Sequence, residues 1–249
     1  MSSTILITFF IFILIIIITS GVLYFTTFKD SLEIRNTPAV TDLEKSLGLS
    51  IEDGRGIHVS LGKSDLQNFH GAASILGLET LNQVVERSVL SDKPPVTTAG
   101  NGDITLLAQS RLQSIASETD LSEENGSYAY LSGATNMSYI VGAIPPVSDP
   151  TNSSQVFVGN IGPEIGLLLA ESEKNNHFSL TATDSLEGQS VSYAFTEDTL
   201  LGEEIFSIPY LLGSNSLLNK ISLHLHDVLR WVVVCIILLV IFIKLVGIL

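Results

Sequence analysis

The chain has 249 residues, a formal net charge of −14, and hydrophobic side chains at 45 % of its positions. So acidic a surface repels phosphate backbones and anionic headgroups, which sets nucleic-acid and peripheral lipid binding aside. A single cysteine, Cys235, leaves no intrachain disulfide and no thiolate zinc site.

The first 28 residues, Met1–Phe28, carry no charged side chain, and a second apolar run closes the chain at Trp231–Leu249. A helix crosses the hydrocarbon core in about 20 residues, so Ile5–Phe28 and Trp231–Leu249 are read as transmembrane helices contacting the bilayer. The first lacks a basic leader and a small-x-small cleavage site, and reads as a retained anchor. In the second, Lys244 can snorkel to the far interface. Residues 1–28 are thus one anchor, 29–219 a folded domain, and 220–249 a juxtamembrane helix leading into the second anchor. Ser31–Asn219 holds 8 Lys and Arg against 24 Asp and Glu, a net of −16, and about 190 residues suffice for one core. Two spans put both termini on one side of the cell membrane. Lys29, Arg35, Lys220 and Arg230 flank the domain, so the positive-inside rule places it in the cytoplasm. The patterns at Asn125, Asn136 and Asn152 fit glycosylation sites and would argue otherwise in a secretory pathway.

Thr37-Pro38 is a helix start, with a capping hydroxyl and proline at the first helical position. Val40, Leu43 and Leu47 follow at helical spacing, with Gly48 near the end. Ile57–Leu61 is the first strand. Asp65–Leu90 reads as helix, with Ile75, Leu78, Leu81, Val85 and Val89 on one stripe. Pro94-Pro95 stops it, Val96–Ala99 is a short strand, and Ile104–Ile115 is helical with Leu107, Leu112 and Ile115 core-like and Arg111 in water. Glu118–Ser127 is a polar loop. Tyr128–Ile144 stays open between helix and strand, and Pro145–Ser154 is the clearest internal loop. Strand Gln155–Val158, helix Pro163–Lys174, strand Phe178–Ala182 and helices at Glu187–Phe195, Gly202–Leu212 and Lys220–Arg230 complete the chain. Strands alternating with helices require parallel pairing. The expected fold is a single three-layer α/β domain around a short, mostly parallel sheet of four strands.

Three strand ends share a form. Ile57–Leu61 runs into Gly62-Lys63-Ser64-Asp65, Val96–Ala99 into Gly100-Asn101-Gly102-Asp103, and Val156–Val158 into Gly159-Asn160-Ile161-Gly162-Pro163-Glu164. Glycine permits a tight turn, and aligned strand ends put such turns on the edge where α/β ligand sites lie. The candidate ligand-binding residues are therefore Gly100, Asn101, Gly102, Asp103, Gly159, Asn160, Gly162 and Glu164, with Glu204. Gly102 and Gly162 are expected at strand-to-helix turns, at least one with positive φ. Parallel sheets use glycine turns with or without a ligand, and Asp103 and Glu164 already complement the helix dipoles. Neither turn spells the dinucleotide fingerprint, and Gly62-Lys63-Ser64 matches only the tail of a phosphate-binding loop. Glu203 and Glu204 are adjacent and point about 100° apart on a helix, so they form no acid/base pair. His58, His70, His177, His224 and His226 have no ligating spacing or carboxylate partner nearby. No catalytic motif, metal site or cofactor site is read from the chain.

Several segments together resemble a bacterial membrane-protein family known as domain of unknown function 6754. They are Pro38-Ala39-Val40 with Leu43-Glu44, and Glu52-Asp-Gly-Arg-Gly-Ile-His-Val-Ser-Leu-Gly62. Further along come Gly100-Asn-Gly-Asp103, Gly159-Asn-Ile-Gly-Pro-Glu164 with Leu168 and Glu171, and Leu201-Gly-Glu-Glu-Ile-Phe206. The resemblance runs over residues 28 to 213 and implies a membrane-flanked domain without naming an activity. The expected function is a membrane-anchored, non-enzymatic scaffold or ligand- and partner-binding module that assembles into homo-oligomers. The alternative is a membrane-tethered hydrolase or transferase with its site at the glycine-turn edge.

Overall fold

Strand β1 (Gly56–Gly62) is buried at all seven positions, as a strand covered on both faces must be. The computed structural model describes residues 37–63, 66, 71–88, 91, 93–118, 128–213, 232–234 and 236–237. Residues 36–214 form one compact unit. Helix α1 (Pro38–Glu52) precedes β1, and α2 (Gly71–Ser88), β2 (Val96–Ala99), α3 (Gly102–Glu118) and β3 (Tyr128–Leu131) follow it. The crossover helix α4 (Asn136–Ser148) leads to β4 (Asn152–Asn160), α5 (Ile165–Lys174), β5 (Phe178–Thr183), α6 (Leu186–Phe195) and β6 (Thr199–Leu200). A 3-10 turn, Gly202–Ser207, and α7 (Ile208–Leu212) end the unit.

The six strands are ordered β3-β2-β1-β4-β5-β6, and every neighbouring pair is parallel. From β1 the chain winds one way to β3, returns through α4, and winds the other way from β4 to β6. This is the doubly wound order, whose switch point falls between β1 and β4. Strand periodicity then divides the core. Ile57, Val59, Leu61, Val156, Val158, Leu180 and Ala182 join one cluster with side chains of α1, α2, α3 and α7. On the opposite face Phe157 packs with Tyr139, Ile140, Ala143 and Val147 of α4 and Leu168 and Leu169 of α5. Most other strand residues on that second face are polar and buried: His58, Ser60, Gln155, Thr181 and Thr183.

The α/β reading with a parallel sheet holds, with six strands in place of four, and several local expectations need correction. Thr37 occupies the N-cap of α1 in extended backbone, yet its hydroxyl makes no capping bond. Gly48 lies inside that helix, which runs on to Glu52. On α2 the buried stripe is Ala73, Leu76, Leu81, Val84 and Val85, and Ile75 points to solvent. On α3, Ile104, Ala108 and Leu112 are buried whereas Leu107 is exposed.

The largest correction is at Pro145–Ser154. Pro145 and Pro146 sit in the last turn of α4, and Asn152–Ser154 already belongs to β4, so the loop shrinks to Asp149–Thr151. Proline is tolerated there because the orphaned acceptor is used. Pro146 has no N–H for the Gly142 carbonyl, and the Tyr130 hydroxyl donates to that carbonyl instead at 3.1 Å. The Pro146 carbonyl in turn accepts from Asn152 Nδ2 at 2.7 Å. Asn152 is therefore a buried clamp, closed to glycosylation in the folded protein. The open stretch Tyr128–Ile144 resolves into β3 followed by α4, and the two-residue strand β6 went unread.

The first anchor and most of the second, the loop beyond Glu118, residues 65 and 67–70 at the expected start of the second helix, Val89 and residues 220–230 lie outside the described residues, as do Asn125, Cys235, His224, His226 and Lys244. Within the second apolar run, residues 232–234 and 236–237 are helical. Among the described residues no helix is long and apolar enough to cross a membrane.

Candidate functional site

Parallel strands end together, so the three glycine turns after β1, β2 and β4 lie side by side on the carboxyl edge. Their conformational demands fall on residues other than those expected. Positive φ occurs at Gly62 (+70°) and Gly159 (+134°), where the ends of β1 and β4 meet. A Cβ on Gly62 would stand 2.6 Å from the Asn160 carbonyl oxygen, and one on Gly159 would stand 2.2 Å from that of Leu61. The Lys63 amide donates to the Asn160 carbonyl at 2.9 Å across the same junction. Gly102 and Gly162 have no positive φ, and Gly102 has open space around it. The expectation of positive φ at one of that pair is wrong. After β1 and β4 the turns are tightened by the first glycine, because there two backbones touch, whereas a Cβ on Gly100 would first meet the Lys63 side chain.

Several polar side chains on this edge bond neighbouring side chains or backbone. Asn101 Oδ1 accepts from the Asp103 amide at 2.9 Å and caps α3, while Asp103 itself stands exposed in the first turn. Asn160 Nδ2 donates to Asp184 Oδ1 at 2.6 Å, joining the turns after β4 and β5. Glu164 makes no side-chain cap on α5, and its carboxylate folds back over Gly162, where a Cβ would meet Oε2 at 2.5 Å. Glu204 Oε2 accepts from the Leu201 amide at 3.4 Å beyond β6. Lys63, directly after Gly62, lays its stem over Gly100, whose missing Cβ would stand 2.4 Å from Lys63 Cγ. Its Nζ donates to Asn136 Oδ1 at the start of α4, at 2.6 Å.

Tyr139 closes the edge from below. Its fully buried hydroxyl accepts from the Gly62 amide at 3.1 Å and is bonded to Ser60 and Thr98. Burial pushes its pKa up, so it stays a neutral phenol. Its ring lies 3.1 Å from where a Gly100 Cβ would be. The side chain thus fills the space beside the ends of β1 and β2. From Thr98 a line of hydrogen bonds crosses the polar face of the sheet. Thr98 Oγ1 meets His58 Nε2 at 2.9 Å, His58 Nδ1 meets Gln155 Oε1 at 2.8 Å, and Gln155 Nε2 meets His177 Nδ1 at 3.2 Å. The amide fixes the tautomers: His58 must donate from Nδ1 to the carbonyl oxygen, and His177 must accept at Nδ1 from the amide nitrogen. Burial depresses the His58 pKa to about 4 against a weaker opposing pull from Gln155, so the imidazole is neutral at physiological pH. Burial lowers that of His177 too.

No protein family, curated protein or solved structure matches the chain. What the site can do rests on its own geometry. Asp103, Glu164 and Glu204 follow β2, β4 and β6, each two strands from the next, or about 9–10 Å at the usual strand spacing. They form no converging acid/base set. Among the described residues no group of three or more His, Cys, Asp or Glu is placed to hold a metal ion. The structure therefore brings Gly100, Asn101, Gly102 and Asp103 beside Gly159, Asn160, Gly162 and Glu164, and leaves Glu204 at the far end of the same edge. The residues that organise this edge, Lys63, Asn136, Tyr139 and Asp184, went unread as a group. Only Lys63 carried a signal, its place after Gly62. Tyr139 and Asp184 reach the edge through tertiary packing, which no local spacing reports.

Proposed function

We propose that the chain is a membrane-anchored, non-enzymatic scaffold or binding module that presents the carboxyl edge of its sheet to a small ligand or protein partner from the cytoplasmic side of the cell membrane. One observation carries this reading. Asn101, Asn160, Asp184, Glu204 and Lys63 on the edge are each paired with a neighbouring side chain or with backbone, and Tyr139 fills the space beneath, so the surface is pre-formed, and among the described residues no nucleophile is assembled there with its base. Glycine backbones at Gly62, Gly100 and Gly159 let the turns approach closely, which gives a dense, defined surface for recognition. The two apolar terminal runs fix the domain to the bilayer in this reading, and their basic flanks set its side.

The test is small-molecule mass spectrometry on the detergent-solubilised full-length protein, with Asp103→Asn and Glu164→Gln alongside. The expected result is that any co-purifying molecule is recovered chemically unchanged from wild type and both variants. Conversion of that molecule by wild type, abolished in either variant with fold intact, would replace this reading with a tethered hydrolase or transferase. A cysteine at Thr151, in a Cys235→Ser background, should resist an impermeant thiol reagent in sealed cells. Ready labelling there would reverse the side.

A further inference from the structure

The described surface has two apolar ends, one at each edge strand, and they differ in charge. At the β6 end Leu167, Leu186, Tyr193 and Phe195 are exposed. Exposed Glu187, Glu197, Glu203 and Glu204 stand among them. Asp198 lies there too, with its pKa pushed up by burial and by the nearby Asp42 and Glu197 carboxylates. At the β3 end residues 128–148 contain no charged side chain at all, in a domain whose net charge is −16.

That uncharged stretch makes one continuous surface. Met137 and Val141 are 62 % and 66 % exposed, and with exposed Pro145 they recur every four residues along α4, opposite its buried Tyr139, Ile140, Ala143 and Val147. The β3 edge joins this stripe through the bond from the Tyr130 hydroxyl to Gly142, and Tyr128, half exposed, stacks on Tyr130 with ring centroids 6.1 Å apart. We propose that the occupant of this face is a second copy of the same chain, docked about a two-fold axis with α4 against α4. A two-fold contact brings each patch against an identical one, so a net charge on the patch is opposed by the same net charge on its partner. Two molecules this acidic repel over most of their surface, and the β3–α4 face, whose own residues 128–148 carry no carboxylate and which meets Glu171 only at its Ser148 end among the described residues, is where that repulsion is weakest. The contact is through side chains and does not extend the sheet. The Ala129 amide is taken by Gln109 Oε1 at 2.8 Å, which removes a backbone donor that an added strand would need. This inference rests on the scaffold reading and names its partner.

The test uses the full-length protein in mild detergent with Cys235→Ser as background. Val141→Cys is expected to cross-link into a covalent dimer with a short bis-maleimide, while Tyr193→Cys stays monomeric. Without cross-linker, native mass should be that of a dimer. Val141→Glu and Met137→Lys should each shift it to monomer at least tenfold further up in concentration, with unchanged circular dichroism, and Tyr193→Glu should leave it dimeric. A monomeric wild type at all concentrations, a dimer indifferent to both α4 variants, or cross-linking from Tyr193→Cys in place of Val141→Cys would overturn the proposal. None of these outcomes touches small-molecule turnover, so loss of this surface and loss of the non-enzymatic reading are separate results.

Discussion

The two faces of the sheet are built from the same strands and held by different forces. Ile57, Val59, Leu61, Val156, Val158, Leu180 and Ala182 point to the α1–α2–α3 side and gain their stability from apolar area removed from water. His58, Ser60, Gln155 and Thr181 alternate with them and point to the α4–α5–α6 side, where hydrogen bonds in a dry setting must replace those lost to water. An apolar face tolerates a changed contact in proportion to the volume removed. A polar face fails pair by pair, because each deletion leaves a buried partner unsatisfied. The carboxyl edge joins the two faces through the Gly62–Gly159 contact, and a lesion there should hurt most.

Gly159→Ala tests that joint. The new Cβ would stand 2.2 Å from a backbone oxygen at φ +134°, so steric overlap adds to backbone strain of roughly 1–3 kcal/mol. The expected outcome is loss of cooperative thermal unfolding, and a folded variant with wild-type melting would refute the close approach. Leu61→Ala then probes the apolar face. Leu61 is fully buried, and the change should lower unfolding free energy by about 2–5 kcal/mol in denaturant titration.

The polar face has a pH signature that the apolar face lacks. His58 has a pKa of about 4 in the folded chain against 6.5 when free. Between these values the unfolded chain binds the proton that the folded chain refuses, so stability is full above pH 6.5 and is lost as pH falls toward about 4. The loss is on the order of 3 kcal/mol for a fully buried group. His58→Leu should flatten the stability curve in that window. At neutral pH the same variant should lose about 1–3 kcal/mol, because Gln155 and Thr98 are left without their imidazole partner. Adding Gln155→Leu should then cost less than Gln155→Leu alone, and strict additivity of the two would mean the line of bonds is not coupled.

The contrast also explains what could be read from the chain. Helix and strand alternation reports area burial, so β1, β2, β4, β5 and the parallel arrangement were legible from runs such as Ile57–Leu61 and Val156–Val158. The polar face was not legible, because His58 reaches Gln155 across 97 positions and Tyr139 reaches Ser60 across 79, with no local spacing to announce either. Pro145-Pro146 read as a loop since proline punctuates, and only tertiary partners, the Tyr130 hydroxyl and Asn152, let it end a helix. The glycine turns were legible as a set and misread individually.

That misreading yields the smallest effect and the cleanest discrimination. A glycine just before a helix looks, in sequence, like the residue whose flexibility makes the turn. Gly102 is instead the first residue of α3, already capped by Asn101, with ordinary φ and nothing within 4 Å of a built Cβ. Alanine there meets no neighbour, and it removes freedom from the unfolded chain alone. Gly102→Ala should therefore raise stability by about 0.4–1 kcal/mol in denaturant titration. Gly62→Ala, at the end of the adjacent strand in the same row of turns, should lower it, because φ +70° and a backbone oxygen 2.6 Å from the new carbon both oppose the side chain. Opposite signs at two glycines that look alike in sequence would show that backbone contact at the switch point makes a glycine necessary on this edge, whereas a loss at Gly102 would return the requirement to the helix starts.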